Sequence, residues 1–303
     1  MSSFQSPTPN KCESMICRRS VWHKRTLARV ALTTIASTMV LSACAGSRPS
    51  SSPTGAPTFK VLVYNVHAGK DAGGKDNLQR VADVVREVDA DVVLFQEVDK
   101  GTRRSGGVDQ PAEYAKRTGY NVAFGRSLDY DGGEYGIAVL SRWPIRRDSA
   151  IHLPVDPPQE RSGGSHEARI AMSVVIAAPF GDLTILNTHI DASADDRWRL
   201  QEIRTIQQLA QSTVRAGATR VLFGGDFNST PESAVQLQLR SNGFHDSWQT
   251  CGSGEGFSYP ADTARKRIDY LFAIAGIECT AAIVVNSQAS DHRPVLFTVR
   301  PLR

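Results

Sequence analysis

Residues 220–228 read RVLFGGDFN, an apolar run that ends in two glycines and continues with an acid, an aromatic and an amide. The apolar part is typical of a buried β-strand, and paired glycines permit a tight turn at its end. Asp226 and Asn228 stand two residues apart, so an extended backbone would direct both side chains the same way. The segment therefore predicts a strand whose end carries reactive polar groups. An Asx turn that leads into a helix at residues 229–231 is the alternative interpretation.

Five other segments also place polar side chains where an apolar run ends or begins. They are Asn65 after FKVLVY, Gln96 and Glu97 after DVVLF, Asn187, Thr188 and His189 after LTIL, Arg267, Ile268 and Asp269 before YLF, and Ser290, Asp291 and His292 before RPVLFTV. Strand ends gather along one edge of a sheet, which brings such groups together. Carboxylates and amide oxygens beside two histidines suit a hard divalent cation and phosphate chemistry. Taken singly, each segment is also consistent with a capped turn or a structural histidine.

The chain after Phe59 alternates strand and helix patterns. Apolar spacing predicts a helix near Asp76–Val88, with Asp76 as N-cap, between the strands FKVLVYN and ADVVLFQE. A second unit has a helix near Ala194–Ala210, capped by Ser193, between DLTILNTH and ATRVLFGG. Strand–helix–strand units of this length indicate an α/β fold.

Shorter patterns lie between these two units. Asn121–Phe124 and Gly136–Leu140 are predicted strands separated by glycine-rich turns. The polar, Pro/Gly-rich residues Asp148–His166 predict a long loop over the site. No second linker follows Thr58, so residues 59–303 are predicted to form one catalytic domain.

The net charge of the 303-residue chain is +4, and its distribution argues against a large surface that tracks nucleic acid. Residues 1–43 contain six basic residues and one acidic residue, a charge of +5, which leaves −1 for residues 44–303. The basic character therefore belongs to the first 43 residues. A hydrophobic content of 41% is ample for a folded core.

Residues 1–43 have the pattern of an export signal. A basic stretch ending at Arg29 precedes the apolar run Val30–Ser42, which is too short to span a bilayer. The sequence LSAC at 41–44 resembles the lipobox of bacterial lipoproteins. We therefore expect a lipoprotein signal peptide, a lipidated Cys44 that anchors the exported protein to a membrane outside the cytoplasm, and a Pro/Ser/Gly-rich tether at 44–58. An ordinary signal peptide with a chance cysteine is the alternative.

The five cysteines divide by position. Cys12 and Cys17 would leave with the signal peptide, and Cys44 would carry the lipid. Cys251 and Cys279 remain as an even pair in an oxidising compartment, which favours a disulfide. Two unpaired thiols are the alternative, because spacing alone does not show that the geometry permits a bond.

In their order along the chain, the polar motifs resemble those of the endonuclease/exonuclease/phosphatase superfamily, the metal-dependent phosphoesterases of pancreatic-deoxyribonuclease-like fold. The resemblance extends from Phe59 to about Val299, and GDFN at 225–228 and SDHRP at 290–294 are its most specific elements. It implies a four-layer α/β sandwich, with two packed mixed sheets flanked by helices. Its other elements are Asn65, Gln96-Glu97, Tyr135-Gly136, Leu140-Ser141-Arg142, Arg169, Asn187-Thr188-His189 and Arg267-Ile268-Asp269-Tyr270.

The resemblance also implies a metal site and a hydrolytic turn. Glu97 would be the principal ligand of Mg²⁺ or Mn²⁺, helped by Asn65 and Asp291. Asp226 and Asn228 would position the attacking water and the scissile phosphate.

Two histidines and an arginine complete the implied catalytic set. His292, paired with Asp269, would stabilise the phosphoryl oxygens or act as a base. His189 would lie on the leaving-group side. Arg169 would contact phosphate, with Arg161 as an alternative in the same region.

The predicted function is Mg²⁺-dependent hydrolysis of a phosphoester, of the phosphodiesterase or nuclease type, by a monomer. The substrate classes that stay open are a nucleic acid, a phospholipid head group and an inositol phosphate. The charge of −1 disfavours a processive nuclease, while a lipid anchor favours lipid-derived substrates. The dense basic loop and the aromatic-rich hairpin that some members use for substrate recognition are missing from the sequence. A surface-binding lipoprotein without catalysis is the hypothesis from another class.

Overall fold

Two β-sheets packed face to face form the centre of the protein, and helices cover their outer faces. The computed structural model describes residues 57–154 and 167–302. The predicted signal peptide, Cys44, most of the tether and Arg161 lie outside the described residues. None of the helices within those two ranges combines the length and apolarity that crossing a bilayer requires.

Eleven strands and five α-helices occur among the described residues. The strands are β1 Phe59–Asn65, β2 Val92–Lys100, β3 Asn121–Tyr130, β4 Gly133–Ser141, β5 Ile145–His152, β6 Ile170–Ala178, β7 Gly181–His189, β8 Val221–Asp226, β9 Asp269–Ala275, β10 Ile277–Val284 and β11 Val295–Pro301. The helices are α1 Leu78–Glu87, α2 Gln110–Thr118, α3 Asp196–Arg215, α4 Ala234–Ser241 and α5 Ser247–Cys251. Short 3₁₀ turns occupy His67–Gly69 and Arg103–Ser105.

Both sheets are mixed. The first has the order β10-β11-β1-β2-β4-β3 and the second the order β5-β6-β7-β8-β9. In the first sheet, β1 runs parallel to β2 and antiparallel to β11. In the second, β8 runs parallel to β7 and antiparallel to β9. The register of the second sheet places His189, Asp226 and Asp269 side by side.

Three apolar cores separate four layers. The middle core lies between the sheets and includes Val61 and Val63 of β1 with Ile185 of β7. The intervening β1 residues, Leu62 and Tyr64, face the opposite way and pack with α1 and α2. A third core joins the second sheet to α3 and α4. Strands buried on both faces explain the continuous apolar runs in the sequence, and the predicted four-layer sandwich is confirmed.

The first predicted helix begins later than expected. Asp76 is not its N-cap, because Asn77 occupies that position and α1 starts at Leu78. The Asn77 amide instead donates to the carbonyls of Val66 and Lys70, which ties the preceding turn to the helix start. The helix itself is present, and Val81 and Val85 on its apolar face are fully buried.

Two other helix starts were also misplaced by the sequence pattern. Asp195, and not Ser193, caps α3, and its carboxylate accepts a hydrogen bond from the Arg197 N–H. The helix continues to Arg215, beyond the predicted end at Ala210. No helix starts at residues 229–231, because Ser233 provides the cap for α4. Several neighbouring polar residues could each act as the N-cap of these helices, and the sequence alone does not show which one does.

The predicted loop at Asp148–His166 is partly a strand. Residues 148–152 belong to the exposed edge strand β5, which pairs with β6. Edge strands have one solvent-exposed side and tolerate polar residues, so the apolar pattern was weak there. Residues 155–166 lie outside the described part of the chain. The strands predicted at 121–124 and 136–140 are present as the longer β3 and β4.

Cys251 and Cys279 form a disulfide that joins α5 to β10. Their Cα atoms lie 5.8 Å apart, within the usual range for a disulfide. Cys279 faces Val299 across the β10–β11 pair, and Val299 in turn faces Phe59. The bond therefore lies toward the end of the first sheet that is remote from Asn65.

Candidate active site

A cavity of about 490 Å³ opens where the ends of β1, β7 and β8 meet the start of β9. Its wall includes the carboxylates of Glu97, Asp226 and Asp291, the imidazoles of His189 and His292, and the amide of Asn228. Ile268 also lines it, so side chains from five of the six sequence segments meet at one cavity. Asn65 and Asp269 stand behind this wall, where they contact Asp226 and His292.

The GDFN turn has a backbone that its sequence specifically permits. Gly225 has φ +143°, and a Cβ atom there would lie 1.9 Å from the carbonyl oxygen of Thr188. Asn228 has φ +44°, so the chain is not extended from Asp226 to Asn228. Both side chains still face the cavity, because the Asp226 Oδ1 accepts the Asn228 N–H at 2.9 Å. The acid and the amide are thus held together by a turn.

Glu97 reaches the cavity because β2 is irregular at that point. The pairing of β2 with β4 shifts between Phe95 and Val98, and Glu97 adopts φ +56°. The strand therefore continues past Glu97 to Lys100 while the Glu97 side chain turns toward the cavity. A positive φ at a non-glycine residue is strained, and such strain concentrates at functional sites.

Asn65 connects the two central carboxylates. Its Nδ2 donates to Glu97 Oε1 at 2.9 Å and to Asp226 Oδ2 at 3.0 Å. Its Oδ1 accepts the backbone N–H of His67 at 3.0 Å. The amide nitrogen of Asn65 therefore holds Glu97 and Asp226 in position. Its Oδ1 keeps a second lone pair, so Asn65 as a metal ligand stays a prediction.

The Asn187-Thr188-His189 motif divides into a structural part and a site residue. Asn187 donates to the carbonyls of Phe95 and Ala138, at 3.0 Å each, and accepts from Gln96. These bonds join β7 of one sheet to β2 and β4 of the other. His189, by contrast, lines the cavity. Gln96 and Asn187, each from a motif that also carries a cavity residue, therefore tie the two sheets together.

His292 lies between two acids. Its Nδ1 is 2.9 Å from Asp269 Oδ2, and its Nε2 is 3.6 Å from Asp226 Oδ2. Burial opposes the charged imidazole, but Asp269 and Asp226 outweigh that effect and raise the pKa of His292 to about 10. Burial, assisted by the neighbouring Asp269, raises the pKa of Asp226 to about 7. The predicted His292–Asp269 pair is present in the structure.

His189 lies on the other side of Asp226, beside a guanidinium group. Arg169 Nη1 is 2.7 Å from His189 Nδ1, and His189 Nε2 is 3.7 Å from Asp226 Oδ2. Burial and the positive charge of Arg169 lower the pKa of His189 well below its usual value. Arg169 is itself buried and forms an ion pair with Glu167 at 3.1 Å.

Several residues of the cavity were missed by the sequence reasoning. Tyr259 and Lys266 face each other across a short hairpin and both line the cavity, and the Tyr259 ring lies 4.8 Å from that of His292. Arg199 of α3 also lines the cavity. His67 lies 3.8 Å from Asp291. The position of His67 two residues after Asn65 was the one available signal, since the others depend on how distant segments fold together.

The donor set at the cavity mouth fits a hard divalent cation. Glu97 and Asp291 are partly exposed carboxylates on the wall, and Glu97 is linked to Asp226 through Asn65. Oxygen ligands with room for water are what Mg²⁺ prefers. Asp226, Asp269 and His292 also offer atoms within 4.8 Å of one another. There the His292 Nδ1 and Asp269 already bond to each other, so the more open carboxylates suit a cation better.

The chain matches known proteins along most of its length. Residues 62–292 match the model of the Endonuclease/Exonuclease/phosphatase family. An uncharacterized protein of Escherichia coli K12, YbhP, is 33% identical over 254 residues, which is 78% of this chain and 94% of that protein.

Solved structures share the fold at lower sequence identity. An endonuclease/exonuclease/phosphatase from Beutenbergia cavernae has a TM-score of 0.69 at 22% identity, over 81% of this chain and 72% of that one. A mannosyl-6-phosphatase from Bacteroides thetaiotaomicron, Bt3783, has a TM-score of 0.67 at 19% identity, over 80% and 99% of the two chains.

Proposed function

Because the chain belongs to the endonuclease/exonuclease/phosphatase family of phosphoester hydrolases, we propose that it is a Mg²⁺-dependent hydrolase in which water attacks a phosphate ester. The observation that carries this proposal is the position of Asp226. It lies within 3.7 Å of both imidazoles and is tied through Asn65 to Glu97. A base, two hydrogen-bond donors and a metal-binding carboxylate thus surround one cavity.

Asp226 is the group that would orient and deprotonate the attacking water. A general base works best when its pKa lies near the working pH, and burial beside Asp269 brings the pKa of Asp226 to about 7. Hydrogen bonds from the Asn65 amide and the Asn228 N–H hold its two oxygens in place. Its orientation is therefore fixed before substrate binds, which lowers the cost of reaching the transition state.

His292 would stabilise the charge that develops on the phosphoryl oxygens. With its pKa raised to about 10 by the two acids, it is an imidazolium at neutral pH and cannot accept a proton as a base. Of the two roles that the sequence resemblance leaves open, the geometry supports charge stabilisation. A buried cation aimed at a developing oxyanion is an effective form of such stabilisation.

Glu97 and Asp291 would hold the cation. A bound Mg²⁺ would act as a Lewis acid and offset negative charge on the phosphate. The Asn65 amide would hold the Glu97 carboxylate in position for the cation, because its Nδ2 donates a hydrogen bond to Glu97 Oε1. The second oxygen of Glu97 stays available toward the cavity.

The test is hydrolysis by the purified protein across a panel of phosphoesters. Plasmid DNA, RNA, a chromogenic phosphodiester, a sugar phosphate, sphingomyelin and phosphoinositides would each be assayed with Mg²⁺, Mn²⁺ and chelator. We expect metal-dependent turnover of at least one class. Glu97→Gln, which keeps the size and removes the charge, is the matched control. Absence of metal-dependent hydrolysis from the whole panel would refute the enzyme and leave the surface-binding lipoprotein.

The direction of β1 bears on the substrate. We propose that the protein is exported and lipid-anchored through Cys44, as its leader predicts. The tether would then join the domain at Phe59, while the cavity lies at the Asn65 end of the same strand. Seven residues of strand place these ends about 20 Å apart. A lipid anchor alone favours lipid-derived substrates, but the separation of the cavity from the tether favours a phosphoester that arrives from solution.

Fractionation tests the anchor separately from the chemistry. Cys44→Ser should move the protein from the membrane fraction to the soluble fraction and leave the rate on a soluble phosphodiester unchanged. Unchanged membrane partitioning would refute lipidation. Faster turnover of lipid vesicles by the anchored protein than by the released one would contradict the preference for soluble substrates.

A further inference from the structure

A buried guanidinium group decides which nitrogen of His189 carries a proton. Arg169 Nη1 lies 2.7 Å from His189 Nδ1. A guanidinium has only donors, so the Nδ1 lone pair must accept this bond. The imidazole proton is then confined to Nε2. A proton on Nδ1 would place two donors against each other at 2.7 Å.

On the other side of the ring, His189 Nε2 lies 3.0 Å from Asn228 Nδ2 and 3.7 Å from Asp226 Oδ2. The same Asn228 Nδ2 donates to the carbonyl of Ile190 at 3.0 Å, which fixes the amide with its nitrogen toward the ring. Two donors therefore face a neutral ring that has one lone pair. The charged guanidinium at 2.7 Å outweighs the neutral amide at 3.0 Å, because charge-assisted hydrogen bonds are the stronger ones. The Nε2 proton then lies on the side of the ring that faces Asp226 and Asn228.

Arg169 is itself held in place from behind. Both Arg169 and His189 are about 5% exposed or less, so water does not compete for the contact. Glu167 Oε1 lies 3.1 Å from the same Nη1 and balances the charge. The charged groups that act on His189 are Arg169, just before β6, and His292, before β11, and Asp226 lies 3.7 Å from its Nε2. Arg169 is in turn acted on by the acids Glu167, Glu202 and Glu97.

We propose that Arg169 is a positioning residue that keeps His189 neutral with its proton on Nε2, so that His189 donates a hydrogen bond to a phosphoryl oxygen. His189 then does not deliver a proton to the leaving group. A neutral imidazole used as a donor is an established catalytic device. The catalytic part of this inference rests on the proposed function. The protonation state itself does not, because it follows from the contact with Arg169.

Nitrogen NMR of the ¹⁵N-histidine-labelled protein reads the protonation state directly. The signals of His189 are assigned by their loss in His189→Gln. We expect a proton on Nε2, a bare Nδ1, and no titration of this ring between pH 5 and 8. In Arg169→Met the two tautomers should mix and the ring should begin to titrate. A proton on Nδ1 in the unmodified protein, or an unchanged ring in Arg169→Met, would overturn the proposal.

Two further variants keep the test decisive. Arg169→Met leaves Glu167 unpaired in a buried position, so the double variant Glu167→Gln/Arg169→Met removes both charges together. Arg267 is equally buried and pairs with Asp246 elsewhere, so Arg267→Met controls for the loss of a buried arginine. The control should leave the tautomer of His189 unchanged. If it also mixes the tautomers, the contact with Arg169 is not the cause.

The kinetic measurement distinguishes positioning from substrate binding. With a chromogenic phosphodiester, Arg169→Met should lower kcat about 10- to 100-fold, as expected for a misplaced catalytic group, with little change in KM. Arg169→Lys should recover part of kcat, since an ammonium also donates to Nδ1. A rise in KM at constant kcat would mean that Arg169 contacts phosphate instead. If no phosphoester is turned over but His189 carries its proton on Nε2, the proposed function fails while the assignment of His189 stands.

Discussion

The two flanks of the cavity shift the pKa of a buried histidine in opposite directions. His292 and His189 are both buried, and each places Nε2 within 3.7 Å of the same Asp226 oxygen. On one flank Asp269 contacts the Nδ1 of His292, and on the other Arg169 contacts the Nδ1 of His189. The pKa of His292 is therefore raised, while that of His189 is lowered.

The contrast shows that the partner behind a histidine sets its chemistry. An acid behind His292 produces an imidazolium that can meet negative charge on a phosphate. A guanidinium behind His189 produces a neutral ring with one fixed donor. The two histidines beside Asp226 thus supply one positive charge and one neutral hydrogen-bond donor. In each case the difference is set by the residue that contacts Nδ1 behind the ring.

Replacement of the shared centre should have the largest effect. Asp226→Ala removes the proposed base from both flanks at once, and we expect kcat to fall by about 10²- to 10⁴-fold. Asp226→Asn keeps the shape and should be nearly as damaging. Circular dichroism and thermal melts would show whether the fold persists. If a correctly folded Asp226→Ala enzyme retained most of its activity, the role of the GDFN turn would be wrong.

Replacement of Asp269, the acid behind His292, should lower the pKa of His292 and so reduce its difference from His189. In Asp269→Asn the ring loses the charge that raised its pKa, so it should lose its proton at lower pH. The protonated form is needed for charge stabilisation, so activity falls as pH rises through the pKa of His292. The alkaline limb of the kcat/KM profile should therefore move toward neutral pH. An unchanged limb would mean that His292 does not act as a cation.

Glu97→Gln acts on the cation and leaves both histidines unchanged. The amide is a weaker ligand than the carboxylate, so half-maximal activity should require at least about tenfold more Mg²⁺. At saturating Mg²⁺ part of the rate should return. Titration of activity with Mg²⁺, beside calorimetric binding, measures both. An unchanged Mg²⁺ requirement would remove Glu97 from the metal site.

The alternation of strands and helices, and the strand-end residues that the cavity brings together, could be predicted from local patterns, and the four layers from the family resemblance. Tyr259, Lys266 and Arg199 could not, because they come to the cavity from distant segments. Strands buried on both faces appear as continuous apolar runs, and the polar residues at their ends are adjacent in the chain. The start of α3 and the strand β5 could not be predicted. Neighbouring polar residues compete to cap a helix, and an exposed edge strand has no apolar pattern.

The different environments of the two histidines could not be predicted either. Arg169 lies 20 residues before His189, next to the first residue of the neighbouring strand β6, and Asp269 precedes His292 by 23 residues. Only the register of β6 with β7, and the return of the last loop to β9, brings each pair together. The sequence resemblance assigned Arg169 to phosphate, which stays a prediction, and gave no indication of its contact with His189.

A change remote from His189 and His292 should leave their different protonation states unchanged and lower only the free energy of unfolding. The disulfide Cys251–Cys279 joins residues 28 apart, toward the end of the first sheet away from the cavity. The variant Cys251→Ser/Cys279→Ser should lose about 2–4 kcal/mol in the free energy of unfolding, mostly because its unfolded chain is less restricted. Denaturant titration measures that loss, and kcat at 25 °C should be unchanged. A fall in kcat with the native fold retained would contradict this expectation and show that the disulfide also affects the geometry of the active-site cavity.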